Sequence, residues 1–132
     1  MVNIYQALAK IENIDCGDVT PSQITDAVLH QDDERIVTLL ARESLDIFCS
    51  VLGSVCGDVA LTYGAKGGVY LGGGILPRMK EYLLNSDFVE RFKAKGVISS
   101  YLEDIPVELI VHKNPALIGA AAWLESRGAL SK

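Results

Sequence analysis

Cys49, Gly53 and Gly57 recur at steps of four inside a long apolar-periodic segment, and this spacing constrains the fold more than any other feature of the chain. Ile36, Leu39, Leu40, Ile47, Phe48, Val51, Leu52, Val55 and Val59 keep a wide helical stripe, and no proline interrupts it before Gly64. The spacing predicts one helix of about thirty residues, about 45 Å long at the helical rise. Asp32, Asp33 and Glu34 read as its solvated start, where the helix dipole favours negative charge. A glycine inside a helix costs about 1 kcal/mol. Close approach of another element would offset that cost. The helix is therefore expected to be central, buried at its carboxyl end and exposed at its charged start.

Cys49 and Cys56 share a face of this helix and read as small core hydrophobes. With Cys16 the cysteine count is odd, which argues against a disulfide scaffold. A metal pair would need further ligands, and His30 and His112 show no suitable spacing. No metal site is expected. The net charge of −5 and the scattered basic residues disfavour nucleic acid and anionic membranes as partners. No apolar run is read as long enough to span a membrane, and no leader is seen, so the expected setting is soluble and cytoplasmic.

Other helices are marked locally. Ile4, Leu8 and Ile11 share one face of a first helix. Thr20, Pro21 and Gln23 make a capping box with proline at the first helical position, for a helix ending near His30. Pro77 opens another, and Ser86 and Gly96 bound a short one. Asn114 and Gly128 bound the last, whose Gly119 to Ala122 middle suggests tight packing.

Two apolar runs, "GVYLGG" and "IPVELIVH", read as strands. A helical crossover between them makes the pair parallel, with both faces covered. Two strands do not make an independently stable sheet. Either helices cover them on every side or further strands come from elsewhere. The expected class is α/β and helix-rich, in a single partial domain over residues 1–132.

Gly72, Gly73 and Gly74 lie at the carboxyl end of the first strand, where open α/β sheets hold ligands. Without Cβ atoms, backbone can closely approach a flat or charged group, and the following helix would turn N–H groups toward an anion. The stretch matches neither GxxxxGK[ST] nor GxGxxG. A plain tight turn is the other reading.

"LTYGAKGGVYLGGGILPR", "FKAKG" and "YLEDIPVELIVHKNPALIGAA", with "VNIYQAL" at the start, resemble the carboxyl-terminal part of bacterial-type glucokinases, in order and nearly end to end. The resemblance implies part of a ribonuclease H-like, actin-like ATPase fold with two parallel strands, a long central helix and a helical crossover. It implies ATP with Mg²⁺ as cofactor and glucose as substrate of the full-length enzyme. Gly72, Gly73 and Gly74 match the adenosine-contacting turn, and Ile75 would flank the adenine. Asp104, Ile105 and Pro106 match a pattern that looks architectural. His112 and Asn114 match positions read here as strand end and helix cap. The family's phosphate-binding hairpin, its Asn-Asp pair with the catalytic base, and its sugar-holding Glu and His residues find no counterpart, so no catalytic residue is assigned. Phosphoryl transfer depends on such positioning groups. The expectation is a segment that starts at an internal position of a glucokinase and is inactive alone. Asp58, Glu103 and Asp104 are read as ordinary polar or solvent-facing carboxylates. The alternative is a non-catalytic helical assembly domain, since unpaired strand edges invite a partner and predict a homo-oligomer.

Overall fold

The computed structural model describes residues 1–30 and 35–128. Helix α1 spans Val2–Ile11 and helix α2 spans Pro21–Leu29. The capping box forms as the sequence predicts: Thr20 Oγ1 accepts the Gln23 N–H at 3.3 Å, and Gln23 Oε1 accepts the Thr20 N–H at 2.8 Å. In α1 the buried residues are Tyr5 and Ala9, while Ile11 is exposed. The buried face is thus turned by one residue from the Ile4–Leu8–Ile11 line. Small Ala9 lets the helix approach its neighbour, and Ile4 and Leu8 fall at the margin of the contact.

Helix α3 runs from Ile36 to Tyr63, 28 residues, and Gly64 ends it in the left-handed region at φ 60°. Asp32, Asp33 and Glu34 lie outside the described residues. The first described residues after them, Arg35, Ile36 and Val37, are exposed as expected, but burial is not confined to the carboxyl end. Burial runs the whole length but rotates around the rod. Leu40, Ala41, Ser44 and Leu45 are buried in the amino half, where α1 and α2 pack, and Cys49, Gly53, Gly57 and Ala60 in the carboxyl half. The amino-half face continues in the carboxyl half as Val51, Val55 and Val59, which are about half exposed. By length and composition α3 could also cross a membrane, with a window of mean hydropathy 1.6, of which 28% is buried. That overturns the reading that no stretch reaches spanning length; interspersed Ser, Gly and Cys hide it when runs are counted locally.

Strand β1 (Val69–Leu71) and strand β2 (Val107–Leu109) pair in parallel, with Val69 opposite Val107 and Leu71 opposite Leu109. Between them lie a 3₁₀ turn at Leu76–Met79, α4 (Lys80–Leu84), α5 (Phe88–Lys93), a 3₁₀ turn at Gly96–Ile98 and α6 (Ser99–Glu103). Gly96, at φ 59°, opens the second 3₁₀ turn rather than ending α5, which stops at Lys93. Ser86 Oγ accepts the Phe88 N–H at the start of α5.

The small residues of α3 have the expected cause. A Cβ built on Gly53 would collide with the Phe88 carbonyl, and one on Gly57 with the Phe92 carbonyl. Helix α5 therefore crosses α3 backbone to backbone. Lys95 fastens the crossing: its Nζ donates to the Ser54 carbonyl at 2.8 Å and lies 2.7 Å from Asp58 Oδ1. Asp58 is thus a solvent-facing ion-pair partner.

Helix α7 (Pro115–Ser126) departs from expectation. It buries no residue, and a Cβ at Gly119 would meet nothing within 4 Å. Its small residues predict tight packing, yet no described element buries them. Asn114 does not cap it by side chain; its own N–H donates to His112 Nδ1 at 3.0 Å.

Candidate functional site

Leu71 ends β1 with its side chain buried, and its carbonyl accepts the Ile110 N–H at 2.9 Å. Leu76, five residues on, is also buried. Between these two anchors Gly72, Gly73, Gly74 and Ile75 stand at the surface. Gly73 has φ 134°, a conformation L side chains rarely adopt. A Cβ at Gly73 or Gly74 would meet nothing within 4 Å, and one at Gly72 only Ile110 Cδ1 at 3.8 Å. The bend is open, and it sits beyond the carboxyl end of a parallel strand.

The segment after the bend differs from expectation. Instead of one helix there is a four-residue 3₁₀ turn and then the five-residue α4. So short a run sums little dipole, and it does not form the anion-binding terminus read from the sequence. Arg78 is held elsewhere: Nη1 donates to Ser22 Oγ at 2.8 Å and Nη2 lies 3.7 Å from Asp26 Oδ1, both on α2. The bend thus offers backbone and open space rather than that guanidinium.

The other singled-out residues have structural surroundings. Ile105 is buried, and the Pro106 carbonyl accepts the Val69 N–H at 2.8 Å, helping to set the strand register. Glu103 and Asp104 face solvent. His112 lies beyond the end of β2 and is exposed with Asn114. Cys16, Cys49 and Cys56 are free thiols. Burial pushes the Cys49 and Cys56 thiols up. Among the described residues, no group of three or more His, Cys, Asp or Glu could hold a metal ion.

Sequence reasoning missed two features. One is a groove of about 310 Å³ under the strands, lined by Leu71, Leu83, Phe88, Val89, Leu109 and Val111. Its residues come from four separate segments, so no local pattern announces it. The other is Tyr82, whose O–H donates to Asp46 Oδ1 at 2.6 Å across the α3–α4 contact. Burial, then that hydrogen bond, pushes the Tyr82 phenol above its ordinary value. The folded state therefore holds the phenolic proton more tightly than the unfolded chain. The stabilisation is fully present below about pH 10, the unfolded phenol's value, and is lost as pH rises toward the higher folded value. Base titration followed by circular dichroism should show stability falling above about pH 10, with a shallower fall for Tyr82→Phe. An unchanged slope would show that the tyrosine is not linked to folding.

Two parallel strands joined by a helical crossover, with an open glycine bend at a strand's carboxyl end, define a protein of the parallel α/β class. Within that class the chain belongs to the glucokinase family, whose model matches residues 1–127. It is 50% identical over 125 residues to a glucokinase of Saccharophagus degradans, covering 95% of this chain and 37% of that one. It is 44% identical over 121 residues to a Nitrobacter hamburgensis glucokinase, covering 92% of this chain and 36% of that protein. The crystal structure of a glucokinase from an Antarctic psychrotroph superposes with a TM-score of 0.80 at 42% identity, again covering 95% of this chain and 37% of that one. The chain thus spans little more than a third of the length of these relatives.

Proposed function

We propose that this chain is the carboxyl-terminal segment of an ATP-dependent glucokinase, that it contributes the adenosine side of the ATP site, and that it is inactive alone. The observation that carries the reading is the open bend of Gly72, Gly73 and Gly74, held between the buried Leu71 and Leu76. A flat, uncharged group can lie against backbone that carries no side chains, and Ile75, partly exposed, offers an apolar flank. Arg78, the cation nearest the bend in sequence, is tied to α2, which suits a nucleoside at the bend better than a phosphate. When bound, ATP supplies the phosphoryl group transferred to the 6-hydroxyl of glucose. The described residues offer no cluster for Mg²⁺, so no residue is assigned to the metal.

Titration with ATP, followed by the backbone amide resonances of Gly72, Gly73 and Gly74, tests the reading. Those signals should move with a Kd above about 1 mM, no tighter than about −4 kcal/mol. Gly74→Leu should abolish the response while leaving stability within about 0.5 kcal/mol, because the added side chain points into open space. Coupled assay of the chain alone should show no glucose phosphorylation above background. Shifts confined to other residues, or turnover by the chain alone, would overturn the proposal.

A further inference from the structure

We infer that Arg78 is a positioning residue for the nucleoside: its guanidinium ties the glycine bend to Ser22 and Asp26 of α2, and this tie sets how well the bend receives its ligand. The inference rests on the reading of the bend as the adenosine side of the ATP site, and adds the residues that hold it in shape. Gly72, Gly73 and Gly74 have no side chains with which to pack, and Cβ atoms built there would meet at most Ile110 Cδ1 at 3.8 Å. Glycines sample more backbone conformations than any other residue, so the shape of such a run must be imposed from its ends. At the amino end the Leu71 carbonyl accepts the Ile110 N–H, which fixes it to the end of β2. At the carboxyl end the Arg78 N–H donates to the carbonyl of Ile75, the proposed apolar flank, at 3.1 Å.

The same arginine reaches α2 with its side chain. Nη1 donates to Ser22 Oγ, and Nη2 faces Asp26 Oδ1. Ser22 and Asp26 are four residues apart and share one face of that helix. Ile24 and Thr25 are buried and seat α2 against α3. Arg78 therefore joins the turn at Ile75 to a firmly seated element, with its Ser22 partner 56 residues away in sequence. Arginine suits this task because its planar fork reaches two acceptors at once, whereas lysine carries a point charge. The ion-paired side chains are 55% and 50% exposed, so the tie adds little to global stability. Its effect is expected on the bend and not on the melt.

The test is titration of the chain with adenosine and with ATP, followed by the backbone amide resonances of Gly72, Gly73 and Gly74. The apparent Kd is the intrinsic value divided by the fraction of chains in the competent shape, so Arg78→Ala should weaken both ligands by about threefold or more. Arg78→Lys should fall between Arg78→Ala and the wild type. Ser22→Ala and Asp26→Asn should each weaken binding, and Arg78→Ala with Asp26→Asn should be no weaker than Arg78→Ala alone, because both remove one interaction. Without ligand, the heteronuclear NOEs of Gly73, Gly74 and Ile75 should fall in Arg78→Ala with the thermal melt unchanged. If Arg78→Ala lowers its own melt, Asp26→Asn decides. Lys80→Ala removes an exposed cation two residues on and should bind like the wild type. Wild-type adenosine binding or unchanged bend order in the variants would overturn the inference. Equal loss in Lys80→Ala, loss for ATP alone, or tighter ATP binding by Asp26→Asn would also overturn it, since each assigns the guanidinium to phosphate charge. If the wild-type bend responds to neither ligand, the nucleoside reading falls and this inference with it; a response shared unchanged by all variants removes the inference alone.

Discussion

Gly53→Ala will destabilise the protein by about 2–3 kcal/mol, lowering the melting temperature by about 10 °C for a domain of this size. The added methyl would fall on the Phe88 carbonyl, which is backbone and cannot rotate aside. Either α5 lifts from α3, opening contacts along its length, or both helices distort. Intrinsic helix propensity argues the other way, since alanine is favoured over glycine by about 1 kcal/mol. Overpacking against a fixed carbonyl outweighs that gain. Gly119→Ala supplies the control: the same exchange in α7 meets open space, so only the propensity gain of up to about 1 kcal/mol remains and the melt should not fall. Equal stability of Gly53→Ala and the wild type would mean that α3 and α5 do not meet backbone to backbone.

Phe92→Ala should cost still more, about 3–5 kcal/mol. The ring is 1% exposed and stacks beside Phe88 with centroids 6.4 Å apart and planes 12° from parallel. Its removal leaves a cavity beneath the crossover. The Gly53–Gly57 contact holds α5 at a fixed height, so collapse into the cavity is restricted. Against a total stability of about 5–15 kcal/mol for a typical domain, such a loss populates the unfolded state visibly. Urea denaturation followed by far-ultraviolet circular dichroism is the suitable measurement. Trp123 is a poor probe of this core, because it lies on exposed α7 under the Arg127 guanidinium at 4.7 Å. Tyr63→Ala, at an 81% exposed position, should change little. A small effect of Phe92→Ala would show that the α3–α5 core repacks freely.

Features with a local cause were legible in the sequence. Thr20, Pro21 and Gln23 specify a helix start through contacts within four residues, and Gly64 specifies an end through one backbone conformation. Gly53 and Gly57 announced a close neighbour, since nothing else justifies two glycines in mid-helix, but they could not say that the neighbour is α5. What failed depends on distant partners. Burial on α3 rotates because α1 and α2 approach from one direction and α5 from another, and no single stripe can encode two directions. The small residues of α7 resemble a packing face, yet what a face packs against is not written in its own residues. The bend was legible as a position, the end of a strand followed by three glycines. Its openness was not, because the extent of the surrounding side chains is set by elements far away in sequence.

The parallel pairing of β1 with β2 has a kinetic meaning. Partners Val69 and Val107 are 107 − 69 = 38 residues apart, and each strand contributes only three residues. Closing that loop is entropically slow, and so brief a ladder returns little for it. This pair should therefore open transiently while the glycine-to-carbonyl crossing below stays shut, and its amides should exchange with solvent sooner than those of the long rod. The bend proposed to meet a nucleoside hangs from a portion of the molecule that breathes more readily than the rod beneath it.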